Sequence, residues 1–275
     1  FLSDFATFAC VATIFLSSLV YWLDDLIFLH PIQRMFIAIS TSLVLYFIIS
    51  NAVNLSEVIL ILLCCLTLLM MVFLVNVLNF YDGADLNLIS LFFFLGLTLL
   101  CFDSSESHPL RLLGLFLITY SISFSIFNYR PRVLYLGDCG SFILASILIY
   151  IFITAILRTI SWPVQIIPLI AFPAFDVLYV LVIRVRNNHN LLSRNYLHLY
   201  QRLNIRYKSY FYLLPSAVNI FLSILLIRFF SFFSNQLLFI AFLVSLVITP
   251  CTYLYFRYRF VESSFFFGDG TADVE

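Results

Sequence analysis

The chain has 275 residues, of which 63% are hydrophobic and only 10% are charged, with a formal net charge of zero and a mean hydropathy of +1.09. One core of this length cannot bury so much apolar surface, and this excludes a water-soluble globular domain. The apolar residues form continuous runs and not alternating segments of about ten residues, which disfavours a β-barrel. We therefore predict an all-α fold, a polytopic helical bundle in a membrane.

A helix needs about 20 apolar residues to cross the hydrocarbon of a bilayer. The sequence contains nine runs of about this length, so about nine transmembrane helices are expected. They lie approximately at residues 5–22, 35–50, 57–77, 88–102, 111–127, 140–157, 163–183, 209–230 and 236–256. We expect residues 1–260 to form a single transmembrane domain and residues 261–275 a short polar tail.

The basic residues indicate the orientation of the bundle, because they are enriched in cytoplasmic loops. If all nine runs cross, eleven of the 14 basic residues fall on one face and three on the other. The same face receives the acidic residues of three loops, so the predicted site opens to the cytoplasm. The eleven are Arg34, Arg130, Arg132, Arg184, Arg186, Arg194, Arg202, Arg206, Lys208, Arg257 and Arg259, and the three are Arg111, Arg158 and Arg228.

The first acidic loop, residues 23–34, reads LDDLIFLHPIQR. Adjacent carboxylates such as Asp24 and Asp25 ionise together only if a cation or a proton offsets them. Magnesium, which takes one or two carboxylates plus phosphate oxygens and water, is the simplest compensation. A solvated loop start is the alternative, and Arg34 fits an anchor on the cytoplasmic face better than a ligand.

The second acidic segment, residues 76–88, reads NVLNFYDGADLNL. If the preceding helix continues, Asn79, Asp82 and Asp85 lie on one side of it over about two turns. An ordinary polar helix end is the alternative interpretation.

The third segment places Asp138 between Gly137 and Gly140, directly before Ser141 and the next apolar run. A flexible turn that meets a helix N-terminus favours an anion such as a phosphate. Nearby Tyr135 suits stacking on a nucleotide base. A simple turn would explain the pattern equally well.

The longest predicted loop, residues 184–208, contains six basic residues. They suit a phosphate ligand, with Arg194 and Arg202 as candidates, and they equally suit an anionic lipid leaflet. His198 looks more like a site residue than any single arginine. Asp176, in the preceding run, is expected to face the bundle interior, either in a broken helix or in a polar contact beneath the site.

In this order the segments resemble the polyprenyl-phosphate N-acetylhexosamine-1-phosphate transferases. The resemblance covers roughly residues 20–205 and rests on an Asp-Asp loop, an Asn-x-x-Asp-Gly-x-Asp segment, a Gly-Asp-x-Gly-Ser turn and a basic loop with a histidine. It implies an enzyme of a bacterial cytoplasmic membrane that transfers a sugar 1-phosphate from a UDP-sugar to a polyprenyl phosphate and releases UMP.

The resemblance also implies roles for the candidate residues. Asp24 and Asp25 resemble the acidic pair near the lipid phosphate and the metal, and Asp138 resembles the main ligand of Mg²⁺, with Mn²⁺ as the alternative. His198 resembles a histidine that handles the sugar-phosphate side. Asn79, Asp82 and Asp85 resemble the helix bordering the nucleotide, and Tyr135 resembles an aromatic residue that stacks on uracil.

The sequence departs from the family pattern at several positions. Leu86 stands where the family often has a glycine, and Tyr200 and Gln201 replace later histidines. This version resembles the branch that serves O-antigen and exopolysaccharide assembly. The family's first span and its following loop are not visible, so we expect a missing upstream segment.

Two other functions stay open, namely a proton- or cation-coupled transporter and a scaffold of this family without activity. The expected partners are a UDP-sugar, a polyprenyl phosphate and the membrane, but not a nucleic acid. Pairing of two copies of the chain stays open.

Overall fold

The computed structural model describes residues 4–27, 29–51, 57–101, 108–129, 134–158, 161–189, 196–231 and 235–262. These residues form helices and no strand, which confirms the all-α fold. The helices are α1 (Asp4–Ile27), α2 (Pro31–Ser50), α3 (Glu57–Tyr81), α4 (Asn87–Cys101), α5 (His108–Tyr129), α6 (Gly137–Arg158), α7 (Ser161–Arg186), α8 (Leu199–Tyr207), α9 (Leu214–Ser231) and α10 (Asn235–Phe260), with a 3-10 helix at Tyr210–Leu213.

Eight helices in the described ranges are long and apolar enough to cross a membrane, all except α4 and α8. Nine crossings were predicted, and the difference is α4. This helix has 15 residues, so it covers about 22 Å, short of the roughly 30 Å of hydrocarbon. Residues 102–107, which follow Cys101, lie outside the described ranges, so the ninth crossing stays a prediction.

The chain divides into two compact units. The first comprises Phe1–Phe93 and Leu117–Pro163, and the second comprises Phe94–Phe116 and Val164–Glu275. The single domain expected over residues 1–260 stays a prediction, as does the polar tail, of which residues 263–275 lie outside the described ranges.

Helix α6 lies at the centre of the first unit, where it packs against α1, α2 and α3. Between Gly137 and Thr154, 67% of its residues are buried, compared with 17% in the span of α1 and 28% in that of α3. The outer helices expose large apolar side chains such as Phe8 and Leu69, each 71% exposed. Lipid can cover such side chains, whereas water would oppose their exposure.

In the second unit α9 packs against α10. Both helices bury small polar residues, namely Asn219 and Ser223 on α9 and Ser245 and Thr249 on α10. Thr252 Oγ1 donates to Asn219 Oδ1 at 3.4 Å. Small and polar side chains allow helices to approach closely in a membrane, where apolar side chains alone supply little driving force.

Helix α8 was not predicted, because it was assigned to a loop. It buries Leu199, Tyr200 and Leu203 and exposes Arg202. It packs against the 3-10 helix and α10. Helix α8 has only nine residues and one apolar side, so it is too short to be recognised as a membrane span from hydropathy.

Helix α7 runs without a break from Ser161 to Arg186 although Pro168 and Pro173 lie inside it. Prolines are tolerated in membrane helices where neighbouring groups satisfy the backbone. Of the two alternatives for Asp176, the broken helix is therefore wrong, and the polar contact is confirmed by the hydrogen bonds described below.

Candidate functional site

The end of α1 carries Asp24, which is only 3% exposed. Its Oδ1 accepts the backbone N–H of Leu29, and its Oδ2 lies 2.9 Å from Arg34 Nε. A buried carboxylate is costly unless it is paired and hydrogen-bonded, and here both conditions are met. The side chain of Asp25 lies outside the described residues, so its predicted role stays a prediction.

Arg34 is positioned by the first turn of α2. Pro31 occupies the start of the helix, and His30 and Gln33 form a capping box in which Gln33 Oε1 accepts the His30 backbone N–H at 2.9 Å. This satisfies donors that a helix N-terminus leaves open. Tyr21 on α1 donates its hydroxyl to the carbonyl of Arg34 at 2.8 Å, and this fixes the two helices to each other.

Arg34 also binds Asp138, in the first turn of α6. Arg34 Nη1 donates to Asp138 Oδ2. The guanidinium thus joins two carboxylates that lie 114 positions apart in the sequence. Sequence reasoning favoured Arg34 as a membrane anchor and missed this role, because nothing local to residues 30–36 indicates a partner on α6.

The two glycines around Asp138 have separate structural reasons. Gly137 has φ of 61°, a conformation that costs residues with a Cβ about 1 kcal/mol or more. A Cβ at Gly140 would lie 2.5 Å from Leu136 Cβ, so a larger residue would push Leu136 away. The sequence predicted a helix N-terminus beside Asp138, and the structure has one, but α6 already begins at Gly137, so Asp138 lies in its first turn and not in a flexible turn before it.

The second acidic segment differs from its prediction. Helix α3 ends at Tyr81, and Asp82 and Asp85 lie in a turn. They therefore do not share one side of a continued helix with Asn79, which is exposed on the last turn. Gly83 and the left-handed backbone of Leu86, φ 61°, change the chain direction. Both aspartates are half-buried.

Two asparagines hold this turn in place, and sequence reasoning missed both. Asn87, fully buried, donates from Nδ2 to the carbonyl of Tyr81 at 2.7 Å. Asn128, on α5, accepts the Leu86 backbone N–H at 2.6 Å and donates to the carbonyl of Leu134 at 2.8 Å. Asn128 thus links the turn after α3 to the segment before α6. Its signal in the sequence was a lone carboxamide at the end of an apolar run.

These contacts bring the end of α1 and the starts of α2 and α6 together around Arg34. They also tie the turn after α3 to the segment that precedes α6. No group of three or more His, Cys, Asp or Glu side chains that could hold a metal ion is present in the described part of the chain. The donors fit Mg²⁺ only in the mode that uses one or two carboxylates plus substrate phosphates and water. Asp138, whose side chain is 24% exposed, and Tyr135, 67% exposed, are accessible to ligands.

The second unit contains His198, at the N-cap of α8. Its Nδ1 lies 2.9 Å from Asp176 Oδ2, and Asp176 Oδ1 accepts the backbone N–H of Leu199 at 3.0 Å. Both side chains are at most 5% exposed. Tyr200 packs its ring on His198, with the ring centroids 5.8 Å apart.

Helix α10 completes this network. Tyr253 donates its hydroxyl to Asp176 Oδ1 at 2.7 Å. Arg257 Nη1 donates to the Tyr253 hydroxyl at 3.0 Å and to the carbonyl of Leu197 at 3.1 Å. Of the predicted arginines, Arg202 is exposed on α8, and Arg194 lies outside the described residues. Sequence reasoning missed Tyr253 and Arg257 as partners of this network.

Comparison with known proteins agrees with the earlier resemblance. Glycosyl transferase family 4 matches residues 7–156, more than half of the chain. A protein of Bacillus subtilis (strain 168), described as "Probable undecaprenyl-phosphate N-acetylglucosaminyl 1-phosphate transferase", is 24% identical over 142 residues. The alignment covers 50% of this chain and 39% of that relative, so the chain spans about two fifths of the relative's length. No solved structure matches the chain.

The matched region contains Arg34 with its partners Asp24 and Asp138, called the Arg34 cluster below, and also Asn128 with its partners Leu86 and Leu134. The family assignment and the geometry therefore concern the same part of the molecule. The chain belongs to glycosyl transferase family 4.

Proposed function

We propose that the protein transfers an N-acetylhexosamine-type sugar 1-phosphate from a UDP-sugar to a polyprenyl phosphate and releases UMP. The observation that carries this proposal is the meeting of Asp24 and Asp138 at Arg34, inside the region that matches the family. Carboxylates and a guanidinium at the ends of apolar helices are the groups that a reaction between a membrane lipid and a charged nucleotide sugar requires.

The proposed reaction is a phosphoryl transfer. An oxygen of the lipid phosphate bonds to the β-phosphorus of the UDP-sugar, and the bond between the β-phosphorus and the bridging oxygen breaks. The bridging oxygen keeps the electron pair and leaves on the α-phosphate as part of UMP. The lipid then carries a diphosphate and the sugar. We favour this direct attack over an aspartyl intermediate, because the lipid phosphate is already largely ionised at neutral pH.

Arg34 and Asp24 act in this proposal by charge and position. Two anions approach each other in the reaction, so cationic donors near the phosphates lower the repulsion. The guanidinium offers five N–H donors in a planar fork that suits phosphate oxygens. Asp24, held by Leu29 and Arg34, keeps this guanidinium in place, while Asp25 stays the second acidic candidate beside the lipid phosphate.

Mg²⁺, or Mn²⁺ in its place, would be held by Asp138 together with substrate phosphates, and when bound it neutralises diphosphate charge. Asp138 lies where a helix N-terminus also favours anions. Its ion pair with Arg34 means that the carboxylate is held in one orientation before any ligand arrives.

The remaining candidates divide between the two ends of the donor substrate. Exposed Tyr135 is proposed to stack on uracil, with Asn79, Asp82 and Asp85 beside the nucleotide. His198 is proposed for the sugar-phosphate side, as the resemblance implies. Arg194 and Arg202 are proposed as phosphate-binding residues, because the loop that contains them is basic. The branch that serves O-antigen or exopolysaccharide assembly and a cytoplasmic orientation belong to the same proposal.

The test uses the purified chain in lipid nanodiscs with polyprenyl phosphate, Mg²⁺ and a panel of UDP-sugars, and measures UMP. We expect UMP release with at least one UDP-sugar, and a loss of about 10²- to 10³-fold in Asp138→Asn, since removal of one preorganised electrostatic group from an active site costs about this much. Glu57→Gln is the matched control, because it makes the same chemical change at an exposed residue at the start of α3.

Full activity of Asp138→Asn would refute the role of Asp138. Binding of UDP-sugars without UMP release would favour the scaffold alternative. Flux of protons or cations across sealed vesicles without nucleotide turnover would favour the transporter alternative, although the partners of Asp176 within the second unit already account for that buried acid.

A further inference from the structure

Helix α8 lies at the ends of two helices that are long and apolar enough to cross a membrane. The apolar span of α10 ends at Phe260, and the span that includes α9 begins at Tyr210, shortly after α8 ends at Tyr207. Arg206 Nη1 donates to the carbonyl of Phe260, so α8 is bonded to the end of α10. A short helix held at the ends of two spans lies where the hydrocarbon meets the head groups.

Aromatic rings also join α8 to these spans. The ring centroid of Tyr207 lies 5.0 Å from that of Phe211 and 6.4 Å from that of Phe260. On the last two turns of α10, Tyr255 and Tyr258 are 60% and 66% exposed. Tyrosine is enriched at membrane–water interfaces. The rings and the position of α8 therefore indicate the same depth in a bilayer.

Three basic side chains lie at this end of the second unit. Arg206 is in the last turn of α8, Lys208 caps its C-terminus, and Arg259 adjoins the residue to which Arg206 is bonded. All three are exposed. They are called the basic patch below.

The sequence around the basic patch supplies few acidic groups. Residues 164–262 contain nine basic residues and two acidic ones, Asp176 and Glu262. Asp176 is buried, and Glu262 Oε1 lies 3.1 Å from Arg257 Nε. The positive charge of this region therefore exceeds the negative charge that its own carboxylates provide, and an anionic partner would complement it.

We propose that the basic patch binds the phosphate groups of anionic phospholipids, such as phosphatidylglycerol. A leaflet that contains anionic lipids has a negative surface potential and attracts basic residues at its surface. The guanidinium of Arg206 matches phosphate oxygens with its planar fork of donors, and Lys208 adds a compact charge. The inference does not depend on the proposed function, and Arg202, which that function uses, is not part of the patch.

The test counts the lipids bound to the purified full chain in a nonionic detergent by native mass spectrometry. Phosphatidylglycerol and phosphatidylcholine with the same acyl chains are titrated separately, and we expect a lower Kd for phosphatidylglycerol. Arg206→Gln combined with Lys208→Gln should raise this Kd about 30-fold, because each basic residue near an anionic surface contributes about fivefold. The Kd of phosphatidylcholine should not change, and salt should weaken only the binding of phosphatidylglycerol.

Two control variants separate charge at this place from other effects. Arg111→Gln combined with Arg228→Gln removes the same charge at exposed positions on α5 and α9. Arg228 lies 14 residues beyond Leu214, the first residue of α9, so it is about 21 Å further along that helix. This variant should bind phosphatidylglycerol within about twofold of the wild type. Arg206→Lys combined with Lys208→Arg changes both side chains but keeps both charges, and it should bind within about threefold.

Equal affinity of the wild type for the two lipids would overturn the proposal, and so would equal losses in the two glutamine variants. Displacement of phosphatidylglycerol by inorganic phosphate would assign the patch to a soluble ligand instead. Preferential displacement by polyprenyl phosphate would assign it to the acceptor site, and either result would contradict the proposal. If the variant with Arg206→Gln does not fold, Lys208→Gln alone decides, with an expected loss of about fivefold.

Discussion

The two polar clusters of this protein are built in opposite ways. In the first unit a cation, Arg34, lies between two carboxylates, and both Arg34 and Asp138 are partly exposed, with side chains 31% and 24% accessible. In the second unit an anion, Asp176, lies among donors. Its partner His198 is 5% exposed, and Arg257, which donates to its other partner Tyr253, is 7% exposed.

Because they differ in exposure, the two clusters suit different roles in a reaction. A partly exposed ion pair contributes little stability, and its partners can exchange for ligands at low cost. A buried network with satisfied hydrogen bonds holds one geometry, and breaking it is expensive. The Arg34 cluster is therefore suited to binding charged substrates, and the Asp176 network to holding one histidine rigidly.

The largest expected effect is in the buried network. Arg257→Met removes donors to Tyr253 and Leu197 and the contact of the guanidinium with the Tyr179 ring, 4.6 Å from its centroid. We expect the free energy of unfolding to fall by about 3 kcal/mol, as for loss of one partner in a buried charged network. Unfolding in detergent measures it, with Arg259→Met, at an exposed position on the same helix, as the control. Equal losses in the two variants would contradict the description of this network.

A smaller loss of unfolding free energy is expected for a substitution in the Arg34 cluster. Arg34→Met leaves Asp24 buried with one donor, Leu29, and should lower the free energy of unfolding by about 2 kcal/mol, because water can partly replace an exposed guanidinium. Arg34→Lys keeps the charge but loses the fork and should lie in between. A loss as large as in Arg257→Met would remove the contrast between the two clusters.

Backbone strain in the turn after α3 gives the third prediction. At ordinary helical positions glycine is less stable than alanine by about 1 kcal/mol. At position 86, where φ is 61°, the order should reverse, and Leu86→Gly should be more stable than Leu86→Ala by about 1 kcal/mol. Denaturation of the two variants measures the difference. If alanine is the more stable residue here, Leu86 does not adopt the left-handed backbone.

The smallest expected effect is that of salt concentration on the coupling energy between charged side chains. A double-mutant cycle of Arg34→Gln and Asp138→Asn, measured as free energies of unfolding, should give a coupling energy of about 1 kcal/mol. This coupling energy should fall by roughly half between about 0.05 M and 0.5 M salt, because salt screens exposed charges. The coupling energy from the cycle of Asp176→Asn and His198→Gln should change by less than about 0.3 kcal/mol over the same range of salt concentration, because salt screens buried charges less. Similar salt dependence in both cycles would show that the two clusters are equally accessible to solvent.

Local patterns predicted a part of this arrangement. The apolar runs indicated the membrane helices, and Gly137 and Gly140 marked the helix N-terminus beside Asp138. Contacts across the bundle were beyond such patterns, because a pair such as Arg34 and Asp138 depends on how helices pack. The same holds for Asp176 and Tyr253, separated by 77 positions. The continued helix through Asp85 was wrong, because α3 ends at Tyr81. The left-handed backbone of Leu86 in the following turn was not predictable, since its side chain disfavours it.

The measurement that tests the central claim most directly follows the β-phosphate of the donor substrate. A UDP-sugar labelled with ³²P at the β-phosphate is incubated with the protein and polyprenyl phosphate, and the label is traced after lipid extraction. Transfer of a sugar 1-phosphate predicts label in the lipid and unlabelled UMP in water, with labelling of the lipid about 10²- to 10³-fold slower in Asp138→Asn. Label that stays in UDP while the sugar enters the lipid, or no lipid product with any UDP-sugar, would contradict the account.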